Sequence, residues 1–123
     1  MKVLVIDDED DIRHVAKLAL GRVGGMEVVD TGHSPDAVEI AAREAPDAIL
    51  LDVMMPERDG PSTLAALRAD DRTAAIPVVF LTAKVMPSEI LRLKALGVAG
   101  VLTKPFDPMT LAAALRAALG SGP

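Results

Sequence analysis

Three aspartates follow two short apolar segments of this chain. Asp7 and Asp8 come directly after the Val-Leu-Val-Ile segment at 3–6, and Asp52 comes directly after the Ala-Ile-Leu-Leu segment at 48–51. Uninterrupted apolar runs of this length are typical of parallel strands covered on both faces, so we expect each acid at the carboxyl end of a strand. In open α/β sheets, ligands bind at that edge.

Carboxylates that converge at one sheet edge would repel one another. Free aspartates are ionised at neutral pH, and two unit charges about 4 Å apart repel by roughly 4 kcal/mol at an effective dielectric near 20. Such a cluster needs a cation. The residue types favour a hard divalent metal ion, with Asp7, Asp8 and Asp52 as its ligands.

The composition excludes several classes of protein. The 123 residues fit one domain, and half of them are apolar. Aromatic side chains are limited to Phe80 and Phe106, which disfavours nucleic-acid binding by base stacking, and a net charge of −5 disfavours contacts with a phosphate backbone. The chain has no cysteine and no apolar stretch near the roughly 20 residues of a membrane helix. We therefore expect a cytoplasmic protein with neither a direct nucleic-acid partner nor a membrane partner.

Strand-like and helix-like segments alternate along the chain. The predicted strands cover residues 2–6, 27–31, 47–52, 77–82 and 99–103. The predicted helices cover about 10–22, 35–45, 61–70, 87–96 and 108–119. Five strand–helix pairs in this order imply right-handed crossovers and three layers.

Several helix ends carry local signals. Ser34 and Asp107 each precede a proline, which predicts a capping side chain followed by proline at the first helical position. Gly60 before Pro61 is a weaker version of the same signal and is most simply a turn residue. Gly97 is expected to end the fourth helix.

The predicted fold is a doubly wound α/β protein with a five-stranded parallel sheet, five helices and a flavodoxin-like α/β/α arrangement. Among the doubly wound strand orders, 2-1-3-4-5 makes strands 1 and 3 neighbours and brings the three aspartates together. We expect one domain over residues 1–119 and a flexible tail or linker stub at 120–123.

Four short segments, one at each of four predicted strand ends, resemble the receiver domain of two-component response regulators, in particular chemotaxis-regulator-like receivers. They are VIDDE at 5–9, LDVMMP at 51–56 with Gly60, LTA at 81–83 and TKPF at 103–106. The resemblance covers the whole chain. Each segment alone is a weak signal, whereas four in order are specific.

The resemblance implies a phosphoacceptor switch. Asp52 would take a phosphoryl group from the phosphohistidine of a histidine kinase or a phosphotransfer protein. Asp7 and Asp8 would hold Mg²⁺, with Mn²⁺ as an alternative, and Asp52 and the backbone carbonyl of Met54 would complete the protein ligands.

Two further residues acquire roles from the resemblance. Lys104 would contact the phosphoryl group, and the bond between Lys104 and Pro105 is expected to be cis. Thr82 would donate its hydroxyl to a phosphoryl oxygen. Phosphorylation would then change the surface of helix 4, strand 5 and helix 5, which would bind a downstream protein, an output domain or, in a phosphorylation-linked homodimer, a second copy.

This chain departs from the receiver pattern at one position that matters for signalling. Val101 stands three residues before Lys104, where receivers commonly carry an aromatic residue that changes rotamer, and a β-branched valine cannot make that movement. Met54 and Lys84 occupy positions that tune acyl-phosphate lifetime in the family. Since Met54 has no polar group to orient a water molecule, we predict slow self-dephosphorylation.

The remaining acidic residues near the first strand, and both histidines, have a simpler interpretation as surface residues. The acidic residues Glu9, Asp10 and Asp11 are interpreted as a solvated helix start that favours the positive end of the helix dipole. His14 and His33 are expected to be surface residues.

Two other functions are also considered. A magnesium phosphatase with an aspartyl nucleophile would typically carry a second acid two residues later, where this chain has Met54. A phosphorylation-independent adaptor would not need Asp7, Asp8, Asp52, Thr82 and Lys104 together. We do not expect an enzyme. The protein would catalyse only its own phosphorylation and its own slow dephosphorylation.

Overall fold

A computed structural model describes residues 1–120 and contains one five-stranded parallel sheet. Its strands are β1 (Lys2–Ile6), β2 (Glu27–Thr31), β3 (Ala48–Asp52), β4 (Val78–Thr82) and β5 (Gly100–Thr103). They lie in the order β2-β1-β3-β4-β5, with every neighbouring pair parallel, which confirms the predicted topology. Of the tail predicted at 120–123, residues 121–123 lie outside the described residues.

Within the described residues, five α-helices alternate with the strands along the chain. They are α1 (Asp10–Leu18), α2 (Ala37–Glu44), α3 (Gly60–Ala69), α4 (Pro87–Lys94) and α5 (Leu111–Leu119). Within residues 1–120, every helix is too short or too polar to cross a membrane.

The helices cover both faces of the sheet. Every residue of β3 and β4 is buried, as expected for strands that are apolar up to their last residue. Successive side chains point to opposite faces, so Ile49 and Leu51 join a core with α2, α3 and α4, while Leu50 joins a second core with α1 and α5. This arrangement confirms the three predicted layers.

The first helix differs from its prediction as one continuous helix over 10–22. The α-helical part ends at Leu18, and Ala19–Val23 form a wider π-helical turn in which the N–H of Gly24 donates to the carbonyl of Ala19. This turn brings Gly24 against α5, where an added Cβ would lie 2.5 Å from Cβ of Ala112. Glycine is required there because the backbone approaches its neighbour closely.

Two predicted helix starts were displaced. A single 3₁₀ turn occupies Ser34–Asp36, α2 begins only at Ala37, and neither start has a side-chain capping bond, so the capping role predicted for Ser34 was wrong. Asp107 does accept a hydrogen bond from the N–H of Met109, at 2.8 Å, but it closes a turn that precedes α5. The short side chain before a proline can close a turn ahead of the helix instead of capping the helix itself, and the sequence looks the same in both cases.

Two further predicted signals concern the start of α3 and the end of α4. Ahead of Pro61, the capping side chain belongs to Asp59, which accepts from the N–H of Ser62 at 2.8 Å. Gly97 has a φ of +83°, which fits its predicted place just beyond the end of α4.

Candidate functional site

The sheet register places the acids of two neighbouring strands side by side. Ile6 of β1 pairs with Leu51 of β3, so Asp7 and Asp52 each occupy the position directly after a matched pair. One carboxylate oxygen from each of Asp7, Asp8 and Asp52 lies within 4.8 Å of the other two. The predicted convergence of the three acids is therefore confirmed.

The three carboxylates differ in burial and in their partners. Asp7 and Asp52 are 1% and 2% exposed, whereas Asp8 faces solvent. Oδ1 of Asp7 accepts from the N–H of Glu9 at 2.9 Å, and Oδ1 of Asp52 accepts from the N–H of Met54 at 3.4 Å. Apart from an ion pair between Oδ2 of Asp7 and Lys104, Oδ2 of each buried acid has no partner among the described residues. Hard oxygen ligands with unused lone pairs suit Mg²⁺ or Mn²⁺.

Lys104 supplies positive charge at this site. Its Nζ lies 2.9 Å from Oδ2 of Asp7 and 3.2 Å from Oδ1 of Asp52. The Lys104–Pro105 bond is cis, as expected. Burial works against the charged form of Lys104, but the two acids outweigh it and raise its pKa. The ammonium is therefore a permanent part of the site's charge balance.

Asp52 has an unusual proton affinity. Burial is the main cause and the neighbouring Asp7 carboxylate is the second, and together they raise the pKa of Asp52 to about 6. Lys104 and the N–H of Met54 oppose this shift only in part. Asp52 is consequently ionised at pH 7 and above, where its oxygens are nucleophilic.

Thr82 ends β4, between the strands that carry Asp52 and Lys104. Its side chain is fully buried, and its Oγ1 accepts from the N–H of Lys84 at 3.0 Å. Its carbonyl accepts from the N–H of Lys104 at 2.8 Å. Among the described residues, Thr82 is hydrogen-bonded to this neighbouring backbone and not to the three acids.

The loop after β3 is held close to Asp52 by Gly60. The N–H of Gly60 donates to the carbonyl of Val53 at 2.9 Å. An added Cβ would lie 2.8 Å from Cα of Val53 and 2.9 Å from the carbonyl oxygen of Asp52. Gly60 is therefore more than the turn residue expected from sequence, because its lack of a side chain lets α3 begin directly against the backbone of Asp52 and Val53.

Met54 and Val101 are the two positions where the family resemblance drew attention to the side chain. Met54 is 56% exposed beside the acids and presents an apolar side chain to solvent. Val101 pairs with Phe80 in the sheet and packs, partly buried, against the core on the α2–α4 side.

Two residues near the site were missed by sequence reasoning. Glu9 was interpreted as a solvated acid and is 61% exposed, yet its contact with the site was missed, since its Oε1 lies 3.5 Å from Nζ of Lys104. Arg13 was not singled out, yet it donates to the main-chain carbonyl of Asp7 at 2.8 Å. Arg13 stands three residues after Asp10 and forms an ion pair with it. This spacing was the signal in the sequence that could have pointed to Arg13.

The fold and site together define a flavodoxin-like α/β protein with a cluster of three carboxylates at the switch point of its sheet. The family model for the response regulator receiver domain matches residues 3–116. The chain therefore belongs to the receiver domain family of response regulators, as the sequence motifs predicted.

Known relatives include both small and large proteins. Chemotaxis protein CheY1 of Helicobacter pylori strain J99 is 33% identical over 122 residues, which cover 98% of each chain. The phosphate regulon transcriptional regulatory protein PhoB of Pseudomonas aeruginosa is 34% identical over 117 residues, which cover 95% of this chain but 51% of PhoB. The structure of chemotaxis protein CheY4 of Vibrio cholerae superposes with a TM-score of 0.86 at 33% identity, covering 96% of this chain and 98% of CheY4.

Proposed function

We propose that this receiver accepts a phosphoryl group onto Asp52 in a reaction that depends on Mg²⁺. The donor is a phosphohistidine on a sensor histidine kinase or a phosphotransfer protein. The observation that carries the proposal is the position of Asp52, a buried carboxylate with a second acid beside it and Nζ of Lys104 at 3.2 Å. Membership of the receiver family supports the same chemistry.

Transfer requires little beyond positioning and positive charge. An oxygen of ionised Asp52 attacks the phosphorus, the bond from phosphorus to the donor's imidazole nitrogen breaks, and that nitrogen keeps the electron pair and takes up a proton. No general base is needed because Asp52 is already ionised. The product is an acyl phosphate on Asp52.

Asp7, Asp8, Asp52 and the backbone carbonyl of Met54 would hold the divalent ion. When bound, this ion supplies positive charge to the phosphoryl oxygens. The ammonium of Lys104 adds a second cation that the ion pairs with Asp7 and Asp52 already hold in place. Oγ1 of Thr82 accepts from the backbone of Lys84, which leaves its O–H to donate to a phosphoryl oxygen.

The proposed output is a shift in the surface formed by α4, β5 and α5. Lys104 and Thr82 are joined by a main-chain hydrogen bond, so a movement of either residue toward a phosphoryl group acts on the ends of both β4 and β5. Of the α4 side chains, only Leu93 is fully buried, and Leu91 is 68% exposed. This exposed face binds a downstream protein, an output domain or a second copy.

The test of the acceptor is intact-mass spectrometry after incubation with acetyl phosphate, with and without Mg²⁺. We expect a single phosphoryl adduct on the wild type with Mg²⁺ and none on Asp52→Asn. An adduct of equal yield on Asp52→Asn would contradict the assignment. Failure of a folded, Mg²⁺-binding wild type to take up either phosphoryl or beryllofluoride would favour the adaptor function, and turnover of a generic phosphatase substrate would favour the phosphatase.

The test of the output surface is hydrogen exchange with and without beryllofluoride. We expect altered exchange in α4, β5 and α5 together with a change in association state or partner affinity. Stable binding of beryllofluoride with no change in any of these would contradict the proposed switch.

A further inference from the structure

We propose that Arg13 is a positioning residue that holds the loop after β1 in the shape that binds the divalent ion. This inference rests on the proposed function, because it concerns the same metal site. Arg13 contacts none of the metal-binding carboxylates through its own charge. It acts through the main chain of Asp7.

Arg13 lies on α1 and spreads its guanidinium over three oxygens. Nη1 donates to the carbonyl of Asp7 at 2.8 Å, Nε donates to Oδ2 of Asp30 at 3.0 Å, and Nη2 donates to Oδ1 of Asp10 at 2.6 Å. The side chain is only 18% exposed. A planar group with several fixed donors can hold such an arrangement, whereas a single ammonium cannot.

The main chain of Asp7 is consequently held from both sides. Its N–H donates to the carbonyl of Thr31 at the end of β2, and its carbonyl accepts from Arg13. Arg13 is itself fixed to β2 by Asp30. The peptide group that joins Asp7 to Asp8 is therefore tied to α1 by Arg13 and, through Asp30, to β2, and its orientation sets where both acids point.

Gly32 provides the space that the guanidinium needs. A Cβ on Gly32 would lie 2.4 Å from Nη1 and 3.0 Å from Cζ of Arg13. Gly32 is not among the glycines with positive φ, so its backbone would accept alanine. Alanine at this position would push the guanidinium away from Asp7 without removing its charge.

A positioning role and a purely electrostatic role predict opposite results for Mg²⁺ binding. Removal of a cation near a divalent ion weakens Coulomb repulsion, so loss of charge alone would tighten binding. Loss of the hydrogen bond to the Asp7 carbonyl would weaken binding because the acids are no longer held in place. Lys17 offers a matched control, since it lies on the same helix and pairs with the same Asp30 at 3.2 Å.

The experiment measures the Mg²⁺ dissociation constant of the full chain by isothermal titration calorimetry. We expect Arg13→Ala and Gly32→Ala to bind Mg²⁺ more weakly by on the order of tenfold, as is typical when a group that orients metal ligands is lost. Lys17→Ala should bind as tightly as the wild type or slightly more tightly. Thermal unfolding establishes a temperature at which each variant is folded, and Gly32→Ala carries the test if Arg13→Ala does not fold.

The outcomes separate this inference from the proposed function. Wild-type Mg²⁺ binding with unchanged or tighter binding in both Arg13→Ala and Gly32→Ala would overturn the role of Arg13 alone. An equal loss in Lys17→Ala would also overturn it, because the effect would then follow helix charge. A wild type that binds no Mg²⁺ would overturn the metal site itself and this inference with it.

Discussion

Nζ of Lys104 lies 3.2 Å from Oδ1 of Asp52. Asp52 ends β3 and Lys104 follows β5, and β4 lies between these two strands. The lysine therefore reaches across a strand to the acceptor. In the absence of a metal ion it offsets the charge of two buried acids, and in the proposed reaction the same ammonium meets the phosphoryl group. The same contact therefore serves the stability of the metal-free protein and, in the proposed reaction, the transfer itself.

Replacement of Lys104 by methionine should destabilise the metal-free protein at pH 7.5. Two buried acids would lose their counter-charge, and removal of one partner from a buried ion pair costs about 3 kcal/mol. Urea denaturation measures the loss, and saturating Mg²⁺ should restore more stability to Lys104→Met than it adds to the wild type. Lys84→Met, at an exposed lysine, should change stability by less than about 0.5 kcal/mol. Equal losses in the two variants would contradict the prediction.

Asp52→Asn should stabilise the metal-free protein at neutral pH. Burial and Asp7 raise the pKa of Asp52 from 3.8 to about 6, so the folded state binds more protons than the unfolded state between these values. The associated stability is complete below pH 3.8 and is lost as pH rises through 6. Asparagine avoids this loss, which corresponds to at most about 3 kcal/mol.

Urea denaturation of Asp52→Asn and the wild type at pH 3.5 and pH 7.5 provides the check. The gain should be present at pH 7.5 and nearly absent at pH 3.5. Asp71→Asn serves as the control because Asp71 is exposed and remote from the site, and it should have little effect. A gain of the same size at both pH values would show that ionisation of Asp52 is not its cause.

Mg²⁺ binding should weaken as pH falls through 6. Asp52 must lose its proton before it can act as a metal ligand, and its pKa of about 6 sets the pH at which this begins to cost affinity. For one proton, the dissociation constant should be roughly tenfold higher at pH 5 than at pH 7.5. Calorimetric titrations at both pH values measure the change, and a constant affinity would argue against Asp52 as a ligand.

Gly60→Ala should disturb both stability and the acceptor. The new Cβ would lie under 3 Å from the backbone of Asp52 and Val53, so α3 must shift, at a cost of about 1–3 kcal/mol. The rate of phosphorylation by acetyl phosphate should fall as well. Gly21→Ala is the matched control, because its Cβ would meet nothing closer than 3.7 Å. A faster or unchanged rate in Gly60→Ala would show that this contact does not position Asp52.

Phospho-Asp52 should persist for minutes or longer. Met54 is exposed beside the site and cannot hold a water molecule in line for attack on the acyl phosphate. Met54→Asn adds a polar group at the same position and should shorten the lifetime, which can be followed by the decay of the phosphoryl adduct in intact-mass spectra. A wild-type half-life of only seconds would contradict the prediction.

The strand edge was predictable because its signals are local and the topology is constrained. Short apolar runs that end in acids fixed the predicted positions of Asp7 and Asp52, and the strand order then made them neighbours, as observed. Predicted strand boundaries at 47, 77 and 99 began one residue before the observed strands. The ends of a strand depend on its pairing with a neighbouring strand, and the apolar character of the residues alone does not predict that pairing.

Contacts made by long side chains were not predictable in the same way. Glu9 resembled a solvated acid because nothing in its neighbours indicates that Lys104, far away in sequence, lies 3.5 Å from it. The role of Arg13 depends on β2, where Asp30 receives its Nε and Gly32 leaves room for its guanidinium. The predicted capping role of Ser34 was wrong because the proline that follows it suits the start of a 3₁₀ turn as well as the start of an α-helix.

The close approach of Gly60 to the carbonyl of Asp52 also constrains whatever delivers the phosphoryl group. The acceptor is 2% exposed, lies at the end of a fully buried strand and has the first turn of α3 packed against its backbone. Asp52 therefore cannot move outward to meet a donor, and the donor must come down to it. In the proposed reaction, a protein donor would therefore have to bring its phosphohistidine to the edge of the sheet, where the backbone of Asp52 is held in place.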